Sequence, residues 1–351
     1  MFKQDSEKPR KHGRARGGAR GRIRWVACLV LLVCALGLAA CQGTTGGGAG
    51  GGGGAGTGGA GQAGHRPVVV ATIFAPFDFA RQVAGANADV HMLLPPGSDS
   101  HSYEPTPADI RLIQTADIFI YVGGDSDTWV EGILASIDTS KMQVIRLIDC
   151  VPLLNEDESV AIESGDGLIG GLSATPELDE HVWTSPLNAK LIVQAINASL
   201  DEADPAEATA YDANATAYCA QLDELDAGFR DVIDHAQRRT LIFADRFPFR
   251  YLAAEYGLTC HAAYPGCSDA AEPSARTVAE LIDLVRSNGA PVVFSTELSN
   301  GKMAQTICAE TGATSMTLYS GHTVSRDDFT AGATYLSQMW ENVATLKIAL
   351  N

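Results

Sequence analysis

From Val68 onward, short apolar runs alternate with stretches whose apolar residues recur at helical spacing. Residues 68–72, 90–94, 118–122 and 143–147 read as strands, separated by helical stretches near 77–83, 106–115 and 129–137. Strands parted by helices of this length predict parallel βαβ units. Between 155 and 180 the chain turns irregular and acidic, and a helical pattern returns after Pro186. From about 205 to 237, Tyr211, Ala215, Tyr218, Leu222, Leu225, Phe229 and Val232 recur at steps of four and three. That spacing lays one apolar stripe along a helix. A helix of about thirty residues measures roughly 45 Å at 1.5 Å per residue. Few small lobes need one so long, so it is expected to run along two. Beyond it the alternation resumes, with strands at 241–244, 260–263, 291–295 and 315–318. Helices are predicted before Gly257, a C-cap candidate, and over 274–287, 302–311 and 329–350. The expected fold is α/β: two parallel-sheet βα lobes joined by one long rigid helix, with a ligand site in the cleft between them.

The first residues follow other rules. Lys8, Arg10, Lys11, Arg14, Arg16, Arg20, Arg22 and Arg24 precede an apolar stretch at 25–40, short for a membrane span that continues as structure. The stretch ends in Leu38-Ala39-Ala40-Cys41, which resembles the lipobox of bacterial lipoproteins. That resemblance implies cleavage before Cys41 and a lipid on its thiol. Residues 43–64 are nearly all Gly with Ala and Thr, a composition that buries no core and behaves as a flexible tether. The expected organisation is a signal peptide at 1–40 and a lipidated cysteine with tether at 41–65. An N-terminal lobe at 66–200, a linking helix at 201–238 and a C-terminal lobe at 239–351 would follow.

Charge changes the picture once the leader is set apart. Nine of the 25 Lys and Arg, but only two of the 42 Asp and Glu, lie in residues 1–40, which leaves 16 basic and 40 acidic side chains and a formal charge of −24. Nucleic acid is an unsuitable partner for such a surface, and cations suit it. Of eight cysteines, Cys28 and Cys34 depart with the leader and Cys41 is the lipidation candidate. Cys150, Cys219, Cys260, Cys267 and Cys308 remain, an odd number whose pairing sequence does not give. Cys267 with Cys308 is the expected pair.

Candidate chemistry lies in the loops. In parallel α/β lobes, ligands sit at the carboxyl ends of strands. His101 follows the strand ending at Leu94, His322 the strand ending near Leu318, Asp245 the strand ending at Ala244, and Glu297 the strand ending at Ser295. His181 precedes the helix at Pro186. Three imidazoles and a carboxylate form a tetrahedral set suited to Zn²⁺, and two of each would lean towards Mn²⁺. His12, His65, His91 and His235 read as structural or solvated, and His261 as a strand residue.

The runs Leu93-Leu94-Pro95-Pro96-Gly97 through His101-Ser102-Tyr103-Glu104-Pro105, and Glu180-His181-Val182-Trp183 with Ser185-Pro186, closely resemble the metal-binding lipoproteins of ABC transporters. Tyr256-Gly257-Leu258, Glu272-Pro273-Ser274 and Glu310-Thr311-Gly312 extend the likeness over the body from residue 66. The resemblance implies a zinc- or manganese-capturing solute-binding protein that serves a membrane permease, with His101 and His181 as ligands. The C-terminal half departs from the pattern. Where many relatives carry a His before the Tyr-Gly-Leu helix, here stands Asp245-Arg246-Phe247-Pro248-Phe249-Arg250, and where a late Asp is usual, here is His322. The resemblance thus implies His101, His181 and His322, with Glu297 or Asp245, as the metal set.

The expected function is extracytoplasmic capture of Zn²⁺, with Mn²⁺ as the rival cargo, by a lipid-anchored monomer that delivers it to an ABC permease and performs no catalysis. A zinc hydrolase would need an open metal position and a general base, for which Glu297 could serve. A surface adhesin would need no metal at all.

Overall fold

A computed structural model describes residues 66–124, 127–156, 160–162, 178–266 and 274–351, apart from the side chain of His101. The expected leader, Cys41, the tether and Cys267 lie outside the described residues.

The first lobe is built from β1 (Val68–Ala71), α1 (Phe74–Ala84), β2 (Asp89–Met92), α2 (Pro107–Gln114), β3 (Ile118–Tyr121), α3 (Thr128–Leu134) and β4 (Gln143–Arg146). The second holds β5 (Thr240–Arg246), α6 (Arg250–Tyr256), β6 (Thr259–Tyr264), α7 (Ala275–Asn288), β7 (Val292–Ser295), α8 (Lys302–Thr311) and β8 (Thr314–Thr317). Every strand pair is parallel, and the sheet orders are β2-β1-β3-β4 and β6-β5-β7-β8. The two lobes therefore repeat one winding. In each, the order reverses beside the first strand, at β1/β3 and β5/β7, and crevices for ligands open at the carboxyl ends there.

Local chemistry explains the element ends. Thr106 and Asp109 form a capping box at the start of α2, with Pro107 at its first position, where a missing N–H costs nothing. Gly289 closes α7 at φ +57°. Between the lobes the expected helical stretch resolves into α4 (Pro186–Ala203) and α5 (Ala208–Asp234). The break falls at Asp204-Pro205, because a proline disfavours helical backbone in the residue before it; Asp204 sits at φ −139°, ψ 79°. The stripe from Tyr211 to Val232 is buried along α5 as its spacing predicts.

The last expected helix also divides, into α9 (Arg326–Thr330) and α10 (Tyr335–Leu350). Gly332, at φ +84°, turns the chain between them in a conformation helices do not admit. The break lets α10 lie against both α5 and α1. Asp78, buried in α1, accepts from the Tyr335 backbone N–H at 2.7 Å. One hydrophobic cluster accordingly runs through α1, α4, α5 and α10 and the facing sides of β1, β3, β5 and β7. The lobes share a core rather than meeting only at a hinge.

Cys308, on α8, carries a half-buried thiol, and the expected pairing with Cys267 lies outside the described residues. Cys150 and Cys219 are half-buried as well. Among the described residues no helix is long and apolar enough to cross a membrane.

Candidate functional site

His181 sits just before a 3-10 turn, Val182–Thr184, that leads into α4. Its ring is fully buried, and its Nδ1 lies 3.2 Å from Asp179 Oδ1, which also accepts from the His181 backbone N–H at 2.9 Å. A carboxylate at Nδ1 fixes the tautomer in which Nε2 carries the lone pair, the usual arrangement behind a metal-ligating histidine. The Tyr251 hydroxyl, from α6 of the other lobe, donates to the Asp179 carbonyl at 2.9 Å. Burial pulls the His181 pKa down, yet Asp179, with added push from Glu180 and Glu156, outweighs it and the net shift is upward.

His322 arrives from the second lobe, on the loop after β8. That loop is bound to the first lobe along its length. The first backbone N–H groups of α1, those of Phe74 and Ala75, donate to the carbonyls of His322 (3.2 Å) and Gly321 (3.1 Å). They are the groups a helix start leaves without partners inside the helix. The Gly97 N–H donates to the Val324 carbonyl at 2.7 Å, and the Thr323 hydroxyl to the Ser98 carbonyl at 3.0 Å. Gly321 lies at φ +69°, a left-handed turn that a side chain would strain. His322 Nε2 is 2.8 Å from the Ser100 hydroxyl, at the start of the 3-10 turn Ser100–Ser102.

The two rings meet between the lobes. Their centroids are 5.4 Å apart, edge to face, and Trp183 stands 5.6 Å from His181 and 5.1 Å from His322. The Trp183 indole N–H donates to the Ser320 carbonyl at 2.8 Å and so ties the His181 segment to the His322 loop. Glu297, just past β7, accepts from the Ser320 backbone N–H (3.0 Å) and hydroxyl (2.7 Å). Desolvation raises the Glu297 pKa against the lowering effect of those donors.

A cavity of about 60 Å³ opens at this meeting point, lined by Ser100, His181, Glu297, His322, Arg246 and Asp99 among others. Asp245 is placed elsewhere. Its carboxylate accepts from the Arg246 N–H, the Thr296 N–H and the Thr296 hydroxyl, and it lines a separate, larger cavity of about 370 Å³. The structure thus brings His181, His322 and Glu297 to one cavity and leaves Asp245 beside it. His101 is on the turn next to Ser100, and its side chain lies outside the described residues. Among the described residues, no three His, Cys, Asp or Glu are gathered closely enough to form a ready metal cluster. His91 in β2, His235 at the end of α5 and His261 in β6 take no part in this cavity.

Sequence reasoning passed over Asp179, Ser100, Trp183 and Arg246. Asp179 was within reach, because a carboxylate two residues before a candidate histidine is a signal for an orienting partner. Ser100 and Arg246 acquire their roles only through contacts with the opposite lobe.

Two equally wound parallel lobes closing on one polar cleft with imidazoles from both sides define a two-lobed solute-binding protein. The model of the family described as ZnuA, zinc-uptake complex component A, periplasmic, matches residues 69–349, and the chain belongs to that family. It is 31% identical over 325 residues to the zinc-binding lipoprotein AdcA of Streptococcus pneumoniae, an alignment covering 93% of this chain and 61% of AdcA. The chain therefore spans about three-fifths of that relative's length. It is 30% identical over 327 residues to the high-affinity zinc uptake system protein ZnuA of Bacillus subtilis, covering 93% of this chain and 98% of the relative. The crystal structure of the Zn(II)-bound ZnuA-like domain of the pneumococcal AdcA superposes with a TM-score of 0.65 at 30% identity, covering 81% of this chain and 99% of that domain.

Proposed function

We propose that the protein captures Zn²⁺ in the cleft between its lobes and hands it to an ABC-type permease for uptake. The observation that carries this reading is the meeting of His181 and His322, one from each lobe, over a small cavity that also receives Glu297. His101, one residue from the Ser100 hydroxyl that touches His322, supplies the third imidazole. Imidazoles with one carboxylate suit tetrahedral Zn²⁺, whereas Mn²⁺ favours oxygen donors and higher coordination. Asp245, which lines the neighbouring cavity rather than the one the histidines share, gives way to Glu297 as the carboxylate of the set. The relatives' names as zinc-binding and zinc-uptake proteins point the same way.

In this reading Cys41 carries the lipid, the glycine-rich segment tethers the body to the outer face of the membrane, and the protein works as a monomer. Protein groups surround the cation, leaving no open position for an activated water, so capture involves no catalytic step. The shared core through α5 and α10 restricts the lobes to small relative movements, which assigns release to the loops bearing the histidines.

The test is metal content and thermal shift of the protein purified without chelator. Near-stoichiometric zinc is expected, with a stabilisation that grows with free zinc as RT ln(1 + [L]/Kd), about 4 kcal/mol at a thousandfold excess over Kd. Absence of bound metal together with no shift on adding Zn²⁺ or Mn²⁺ would end the capture reading.

A further inference from the structure

Arg246 is the one fixed cation among the described residues lining the histidine cavity. Its Nη1 reaches across the cleft to Asp99 Oδ2 at 3.0 Å, joining the end of β5 to the first-lobe turn that carries Ser100 and His101. Arg246 and Asp99 line both the 60 Å³ cavity and the 370 Å³ cavity next to it, so the pair stands in the wall between them. The backbone aims Arg246 at this place. Residues 243 and 246 of β5 pair with 262 and 264 of β6, so β5 carries one extra residue there. Such a bulge bends a strand and redirects its side chains, and bulges concentrate beside binding sites. Asp245 then secures the bulge by accepting from the Arg246 N–H (2.9 Å) and from Thr296, the residue just past the neighbouring strand β7.

A guanidinium carries a positive charge and has no lone pair to offer a metal. It therefore holds a part of the cavity wall from which its own side chain supplies no ligand. The cavity itself is small, well under the roughly 150 Å³ that admits a benzene. Zn²⁺ is content with four ligands, while Mn²⁺ sites are typically octahedral and oxygen-rich. We propose that Arg246, clamped by Asp99, is a specificity-determining residue that denies a bound cation its fifth and sixth ligands and so favours Zn²⁺ over Mn²⁺. Asp99 offsets the guanidinium charge so that the dication is still admitted. Both side chains are partly exposed, 24% and 40%, so the effect comes from where the pair stands rather than from its intrinsic strength. The inference rests on the metal-capture reading above.

The experiment measures Zn²⁺ and Mn²⁺ dissociation constants of the intact chain by competition with a chelating indicator. It compares the unmodified protein with Arg246→Ala, Arg246→Gln, Arg246→Lys and Asp99→Asn, with melting curves to establish that each folds. In Arg246→Ala and Arg246→Gln the ratio of the two constants should narrow by about tenfold, the low end of the change made by residues around metal ligands. Arg246→Lys, which keeps a cation at the wall, should recover most of the ratio. Asp99→Asn should weaken both metals together and leave the ratio standing. A ratio that is the same in the folded Ala and Gln variants as in the unmodified protein overturns the role of Arg246 alone. An unmodified protein that binds neither metal overturns the capture reading and this inference with it.

Discussion

The two described histidines of the cavity are held in opposite ways. His181 is oriented by a carboxylate two residues earlier in the chain, inside a fully buried turn. His322 is oriented by a hydroxyl 222 residues away, on a loop whose backbone is hydrogen-bonded to the opposite lobe. The first arrangement is preformed by local sequence; the second exists only when the lobes are together. A binding site assembled this way has one half made ready by local sequence and one half set by how the lobes pack against each other. Loss of the ready half should therefore cost more than loss of the other.

The widest gap between them should appear on removing the rings themselves. His181→Ala is expected to lower zinc affinity by more than about 100-fold, beyond the usual reach of changes made around rather than at the ligands. His322→Ala should cost less, because its loop stays docked through the α1 N–H groups and Gly97. Calorimetric titration of both variants would decide, and a larger loss in His322→Ala would reverse the ordering of the two halves.

The next effect concerns the partner of the ready histidine. Asp179 is the main charge holding the His181 pKa above its usual 6.5 against the pull of burial. A raised folded-state pKa stabilises the metal-free protein below the unfolded value, and that stabilisation fades as pH rises through the folded one. A proton on the ring also competes with the metal, so zinc affinity should fall as pH drops below the raised pKa. Asp179→Asn should weaken zinc binding by about 10- to 100-fold. It should also move the pH at which binding fails downward, since burial then acts on the ring with less opposition. Titrations between pH 5.5 and 8, with melting curves of the metal-free protein, separate the two effects. An unmoved pH profile would show that Asp179 does not govern this ring.

The same contrast explains what could be read from the chain. Periodicity located the eight strands among the described residues and the apolar stripe of α5, because burial on one face repeats at the spacing of the element itself. It left open whether the stretch from Pro205 continues the helix before it or forms a second segment, and it missed the division at Gly332, where one residue overrides an otherwise continuous pattern. His181 lay in a motif that contains its own orienting carboxylate. The convergence of His322 with Ser100, and of Arg246 with Asp99, was not legible, because each pair spans more than 140 residues and is set by how the sheets face one another. Asp245 and Glu297 looked equivalent in sequence, one and two residues past an expected strand end. A bulge and a threonine make them different in space.

Trp183 offers a smaller, structural test of the coupling between the halves. Its ring lies against both histidines and its N–H is the hydrogen bond from the His181 segment to the Ser320 carbonyl. Trp183→Phe keeps a ring and removes the donor, leaving a buried carbonyl short of a partner at a cost of about 1–3 kcal/mol. The melting temperature should fall by several degrees, roughly 2–4 °C per kcal/mol for a chain this size. Zinc should recover part of that loss by pulling the two rings together again. A variant as stable as the parent would show that the α1 contacts alone secure the His322 loop.

The smallest expected difference separates the two carboxylates. Glu297 lines the histidine cavity and is anchored to Ser320, two residues before His322, so it can follow that loop towards a bound cation. Asp245 has its oxygens committed to the β5–β7 junction and faces the neighbouring cavity. Glu297→Gln should therefore weaken zinc by about tenfold while retaining an acceptor for Ser320. Asp245→Asn should leave zinc affinity nearly unchanged and lower only the melting temperature, through loss of the charge that holds Thr296. The pair of substitutions is informative because both remove one negative charge close to the cleft. A purely long-range electrostatic contribution would make their effects on zinc alike. Unequal losses with Glu297 the larger would mark direct participation, and unequal losses with Asp245 the larger would move the carboxylate of the site to the other side of the Asp99–Arg246 wall.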